Sequence, residues 1–456
     1  MNRFSPFVDS RVIRSTLFVA ATLLTAACHG ALDVSDPTLV QDKDIANAAG
    51  ANARRLNVFV RFNGAAFQLA NDVAIFTDER TIDQPANYYV PPEMYLDRRD
   101  SEGYEAQWGQ GFGTDDPHLG GWDDIFTKAS IAIPAVRAYT PDSLRGDYLA
   151  QLYAMRAYAI VQIAEDVCPG FPINDIVNNV PVYSPPFTTD SALGFAMTQI
   201  DSVFAEVHDS TRYTNFAKVL KGRVLLDLGK YAEAAAAVAD VPASFTYTAE
   251  VGADLGNNYF ATQFYHWDMN SGGGPNEQFA VGNHEGGNGL PFVSANDPRI
   301  GAVFFQTRYT NSADSLYDET KYTLNDPMII GSGLEAQLIQ AEAALNAGDV
   351  TGWLNILNTL RAAATPAMAP LTDPGTTAAR VDLLYSERAF WLYLTGHRLG
   401  DLRRLIRNYG RDPESVFPTG QYPMRGLRYG TATAIPFIQS SEARYNPLIK
   451  TGCTTR

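Results

Sequence analysis

The sequence is 456 residues long, with a formal net charge of −15 and a pI near 4.8. That acidic balance argues against nucleic acid or an anionic lipid surface as the ligand, and the length is ample for one large core or two smaller ones. Aromatic residues make up 11% of the chain and include 23 tyrosines, whose amphipathic rings are natural contacts for polyhydroxylated ligands.

The chain begins with a targeting pattern. Arg3, Arg11 and Arg14 supply a positive stretch, and residues 15–25 an apolar one too short to span a bilayer. Leu24-Thr25-Ala26-Ala27-Cys28 then runs small residues straight into a cysteine, which reads as a lipobox. On this reading residues 1–27 are a lipoprotein signal peptide and Cys28 carries the lipid, with several acyl chains giving stable anchoring. Thr25 departs from the leucine preferred there, and simple secretion is the alternative. Of the three cysteines, Cys168 and Cys453 remain as one pair once Cys28 is lipidated. Export permits a disulfide between them, and two free buried thiols are the other reading.

From about Asp42 apolar residues recur at helical spacing. Trp122, Ile125, Phe126 and Ala129 form one stripe, and Tyr148, Leu152, Met155, Ala159 and Ile163 a longer one. Thr189 or Asp190 is expected to cap a third helix carrying Phe195, Ala196, Ile200, Val203 and Val207. Asn215 is expected to open a fourth, stopped by Gly229. The stretch from Leu228 through Tyr231 to Ala235, closing at Pro242, approximates a tetratricopeptide turn, with small residues where two helices cross closely. A helix from Leu334 to Leu345, a partner holding Trp353, Leu357 and Leu360, and a last long helix from Val381 toward Thr395 complete about four diverged pairs. The predicted fold is mainly α, with TPR-like pairs over about 40–76, 120–243 and 330–410. Loop-rich insertions occupy 77–119 and 244–329, and residues 411–456 form a tail of the single domain 28–456.

The insertions are where a ligand is expected, since long loops inside a compact domain are usually functional and disordered segments lack aromatics. A sugar ring offers C–H faces for stacking and edge hydroxyls for hydrogen bonds. Tyr88, Tyr89, Tyr95, Trp108 and Trp267 are the candidate platforms, with Asp78, Arg80, Asn87 and Arg98 as hydrogen-bonding partners. The same rings would serve equally as the local core of long loops. Gly282 to Gly289 reads as a flexible binding or docking loop: its His284-Glu285 lacks the second histidine of a zincin, and no Gly-Lys-Ser/Thr follows. His397 and Asp401, four apart, read with Glu387, Arg388, Arg398 and Arg403 as a charged structural turn, because no nucleophile accompanies them. Asp115-Asp116, Asp123-Asp124 and Glu165-Asp166 read as solvated helix ends rather than glycosidase acids, and Asp115-Asp116 lacks EF-hand calcium spacing. No catalytic residue, metal site or cofactor is assigned.

The C-terminal third carries a family resemblance. Glu387-Arg388-Ala389-Phe390-Trp391, followed by Gly396-His397-Arg398 and Asp401-Leu402-Arg403-Arg404, resembles the SusD/RagB signature. Pro436 through Glu442, Asn446-Pro447, Asp297-Pro298-Arg299, Ala341-Glu342-Ala343, and Leu32-Asp33-Val34 with Pro37 are similar to further motifs of that family, in its order. The resemblance implies a non-enzymatic outer-membrane lipoprotein that binds glycans or similar nutrients and delivers them to a TonB-dependent SusC-like transporter. His29-Gly30-Ala31-Leu32 follows Cys28 without the acidic run that marks surface export in some relatives, so outward facing is implied by the family alone. The alternative is a lipid-anchored TPR scaffold that binds a protein partner and no small ligand; a periplasmic hydrolase is a third reading without a motif.

Overall fold

Apolar stripes with well-placed caps set the helices. The computed structural model describes residues 45–83, 92–107, 117–178, 180–252, 278–307, 314–323, 326–424, 426–437, 443 and 446–454. Residues Ala48–Arg456 form one compact unit. Its first elements are α1 (Ala48–Phe76), β1 (Arg80–Asp83), α2 (Pro92–Asp97), α3 (Ser101–Gln107), α4 (Pro117–Tyr139) and α5 (Asp142–Asp166). The hairpin β2 (Asp175–Val177) and β3 (Val180–Val182) leads to α6 (Thr189–Glu206), α7 (Thr211–Asp227) and α8 (Tyr231–Val238). Strands β4 (Thr246–Ala249), β5 (Gln278–Val281), β6 (Ala302–Thr307), β7 (Ser315–Glu319) and β8 (Met328–Ser332) follow. Helices α9 (Gly333–Asn346), α10 (Val350–Ala363), α11 (Thr377–Trp391), α12 (Arg398–Tyr409) and α13 (Pro413–Val416) close the chain.

Helix α5 is the spine. From Leu149 to Asp166 it is buried on almost every face, so it packs in the centre of the molecule rather than along an edge. It touches α4, α6, α7 and α12, while α7–α8 and α9–α10 pack as helix pairs. Gly222 on α7 permits the tetratricopeptide-like crossing: a Cβ there would lie 2.5 Å from Val238 on α8 and 3.1 Å from Ile339 on α9. The strands make four separate antiparallel two-stranded sheets, β1–β5, β2–β3, β4–β8 and β6–β7, all small enough to ride on the helical core. The mainly α architecture with loop-rich insertions is the one expected from sequence.

Three helix ends fall elsewhere than the spacing predicts. Thr188, not Thr189 or Asp190, caps α6, in a capping box with Ser191. Helix α7 starts at Thr211, capped by Ser210, four residues before Asn215. Helix α11 stops at Trp391, short of Thr395, because Leu394 and Gly396 take left-handed backbone and turn the chain into α12.

The Gly-His-Arg turn and α12 carry a buried ionic lattice. Arg388 donates twice to Asp401 (2.8 and 2.8 Å). Arg404 donates to Glu342 on α9 (3.0 and 3.1 Å), to Asp227 on α7 (3.0 Å) and to Asp401 (2.8 Å). Burial opposes the charge on Asp401, but Arg388 and Arg404 beside it outweigh that and hold its carboxyl well below the usual range. Arg403 donates to the Ala164 and Val167 carbonyls (3.2 and 3.2 Å), closing the C-terminal end of α5. These residues form the structural turn read from the sequence, extended by carboxylates from α7 and α9.

The tail returns to α5. Ile435 forms a bridge with Val167, and Cys168 and Cys453 are joined in a disulfide with a Cα–Cα distance of 5.4 Å. Arg99, fully buried, donates to the Ala432 carbonyl (2.7 Å) and the Pro418 carbonyl (2.5 Å), so the first insertion also holds the tail.

Two outcomes are expected. Arg404→Met strands Glu342 and Asp227 without their cation and should cost about 3–5 kcal/mol in urea unfolding; a loss below about 1 kcal/mol would show the lattice to be unimportant. Peptide mapping of unreduced protein should recover Cys168 and Cys453 in one linked species, and alkylation of both without reduction would refute the bond.

Candidate functional site

Strand β1 stands between the ionic lattice and the loop-rich region. Just before it, Asp78 accepts from Arg398 Nε and Nη2 (2.7 and 2.8 Å) and from the Leu290 amide (2.8 Å). The Glu79 carbonyl accepts from the Gly282 amide (2.9 Å) and the Tyr393 hydroxyl (3.1 Å), and its carboxylate oxygen from the Leu394 amide (3.1 Å). Burial lifts the Glu79 carboxyl to about 8 despite the opposing charge of Arg398, so it is mostly protonated at neutral pH. Arg80 donates to Asn71 Oδ1 (2.7 Å) from inside the core.

The loop after β5 is built on this strand. Gly282 to Leu290 closes on itself through His284 N to the Leu290 carbonyl (3.0 Å) and Gly289 N to the Glu285 carbonyl (2.9 Å). At Gly286, φ is +58° and a Cβ would stand 2.2 Å from the Thr419 nitrogen, so only glycine lets the tail pass this close. Asn288 donates to the Glu414 and Phe417 carbonyls (2.6 and 3.0 Å), and Tyr429 donates to Glu285 (3.0 Å). The expectation of a flexible loop is thus corrected: internal and tail hydrogen bonds pin it.

Pinned loop, β7 and tail together wall a polar cavity of about 720 Å³. Thr81, Asn283, His284, Asp314, Ser315 and Gln421 supply hydrogen-bonding groups, and Tyr317 an aromatic ring. Thr81 is 2% exposed, and its hydroxyl has no hydrogen-bond partner among the described residues. Tyr317 pairs across the strands with Phe304, ring centroids 6.1 Å apart, and Phe304 is 55% exposed. Neither ring was singled out by sequence reasoning. The signal lay in a short alternating strand pair, too brief to stand out in a glycine-rich region.

The residues expected to bind ligand are differently placed. Asp78 and Arg80 are buried and committed to Arg398, Leu290 and Asn71, so they are internal ties rather than ligand contacts, because a buried charge is held by its partner. Arg98 is buried too; it pairs with Asp100 and its guanidinium lies 5.2 Å from the Tyr95 ring centroid. Tyr95 is half-buried against Gly103, a packing role. Tyr88, Tyr89, Asn87, Trp108, Trp267, Cys28 and the Asp115-Asp116 pair lie outside the described residues.

One contact near the cavity invites a catalytic reading. The Ser294 hydroxyl lies 3.3 Å from His284 Nε2, but it is also 3.0 Å from Asn283 Oδ1, and among the described residues no carboxylate orients the imidazole as a triad would. No group of three or more metal-ligating side chains occurs among the described residues, and no described helix is long and apolar enough to cross a membrane.

No family model and no curated protein sequence matches the chain. Solved structures do. A SusD superfamily protein from Bacteroides thetaiotaomicron VPI-5482 superposes with a TM-score of 0.62 at 14% identity, covering 90% of this chain and 100% of that one. NanU of B. fragilis gives 0.59 at 14% identity, over 92% and 100%. A SusD-like carbohydrate binding protein from Bacteroides vulgatus ATCC 8482 gives 0.55 at 14% identity, over 78% and 83%. The chain therefore has the SusD-like fold that its C-terminal motifs resemble.

Glu79 supplies a pH test. Its folded value of about 8 lies above the ordinary 4.5, so its contribution is fully present below about 4.5 and lost as pH rises through 8. Glu79→Gln should match the native melting temperature near pH 4.5 and exceed it increasingly up to pH 8–9. A constant difference across that range would place the buried charge elsewhere.

Proposed function

We propose that this protein binds oligosaccharides without transforming them, held at the outer membrane by lipid on Cys28, and passes them to a TonB-dependent SusC-like transporter. The observation that carries the binding step is the polar cavity on a SusD-like fold. Its walls carry hydroxyl, amide, imidazole and carboxylate groups, which suit a ligand with a hydroxyl on nearly every carbon. The Thr81 hydroxyl, left without a described partner, gains from a ligand hydroxyl what a buried polar group needs. The Tyr317 and Phe304 rings offer apolar faces to the C–H side of a sugar. One of the similar structures is described as a carbohydrate binding protein, which supports the ligand class.

Binding alone fits the chemistry of the cavity. Glu285 is buried and accepts from Tyr429, which suits a carboxylate holding a loop rather than one poised over a scissile bond. Hydrogen bonds exchanged with water yield modest net free energy, so affinity of this kind permits release to a next carrier. The anchor, the outward-facing position and the transporter rest on the lipobox and the family motifs of the sequence.

Affinity electrophoresis against a panel of polysaccharides tests the reading. Retention on at least one is expected, with Tyr317→Ala weakening it about three- to tenfold, the loss of one stacking contact, and leaving the melting temperature within about 2 °C. No retention on any glycan, together with capture of a single protein partner, would favour the scaffold reading. Release of free sugar would overturn binding without catalysis.

A further inference from the structure

A second cavity has the opposite chemistry. It encloses about 460 Å³ between the β4–β8 sheet, the start of α9 and the ends of α10 and α11. Phe245, Ile329, Leu334, Ala364, Trp391 and Leu392 make it mostly apolar, and its volume falls within the roughly 300–1,000 Å³ typical of small-molecule sites.

The charged groups on its walls differ in how they are matched. Glu335 receives two hydrogen bonds from Arg223 (2.8 and 3.1 Å) and lies 3.2 Å from His397 Nε2. Burial pushes the Glu335 carboxyl up, but Arg223 and His397 prevail and hold it at about 2. Arg299 is clasped between Asp297 (2.8 and 2.6 Å) and Glu387 (2.8 and 3.2 Å). Lys321 is the exception. Its ammonium has three N–H donors and gives one hydrogen bond, to the neutral Tyr393 carbonyl (2.7 Å). Among the described residues no carboxylate lies within ion-pair distance of it; Glu79 and Glu319 act on it only through the longer-range field. Burial lowers its pKa to about 8, the sign of a cation that lacks a close counter-charge.

An apolar chamber with one under-matched ammonium specifies its complement. We propose that this cavity binds a small aromatic carboxylate, its ring against Phe245, Leu334 and Trp391 and its carboxylate on Lys321. Placing that anion gives Lys321 a charge-assisted hydrogen bond beside mostly apolar walls. The site is separate in residues and in chemistry from the polar cavity and does not depend on carbohydrate binding there.

Isothermal titration of the purified protein with indole-3-propionate and with its primary amide tests the assignment. The acid is expected to bind at least about tenfold more tightly than the amide, the worth of one charge-assisted contact. Lys321→Met should remove that advantage, Lys321→Arg should restore it, and Ala364→Trp should abolish binding of both by filling the chamber. Glycan retention should stay unchanged in all three. Equal binding of acid and amide by the native protein, no binding of either, or undiminished binding by correctly melting Ala364→Trp protein would each overturn the proposal.

Discussion

The bidentate pairing of Arg388 and Arg404 with Asp401 and Glu342 is the constraint on which the remaining structure hangs. These groups are almost wholly buried, and a buried ion without its partner costs several kcal/mol, so only one arrangement of α7, α9, α11 and α12 satisfies all of them. Apolar stripes alone would let these helices slide or rotate by small amounts. The guanidinium forks do not, because their donors sit in a fixed plane that must face the carboxylates they pair with. Arg403 extends the same demand to α5 by capping its last carbonyls.

From that lattice the order passes outward by single contacts. Arg398, next to His397 in the turn, grips Asp78 and so fixes the approach to β1. Glu79 and Gly282 then set the β1–β5 pair, and the loop from Gly282 to Leu290 folds over Asp78. Gly286 and Asn288 bring the tail against this loop, which completes the polar cavity. The scaffold thus aims a loop-built cavity without contributing most of its lining.

The two cavities divide the chemistry of the molecule. One is broad and polar, where each hydrogen bond to a ligand replaces one to water. The other is smaller and mostly apolar, with a single ammonium, that of Lys321, lacking a close carboxylate among the described residues. Lys321 and Tyr317 sit on β7 or just past its end, yet serve different chambers. Lys321 lies past the end of the strand, where its amide and that of Tyr322 turn back to donate to the Glu319 carboxylate (2.6 and 3.1 Å).

The sequence alone determined the helical class, the crossing of α7 and α8 and the charged turn after α11, since each is local: spacing of three or four, a glycine, a run of arginines. It also isolated Cys168 and Cys453 by exclusion, and their bond is a feature of the structure. Only tertiary structure decided the partners. Asp78 and Arg80 looked like free hydrogen-bonding groups because their counterparts, Arg398 and Asn71, lie hundreds of residues away or inside the core. Helix ends shifted for the same reason, as Ser210 and Thr188 cap where packing lets the chain turn and not where the stripe begins. Tyr317, Thr81 and His284 became a site only when β7, β1 and the glycine loop met, because a cavity is a relation between segments and no one of them carries it.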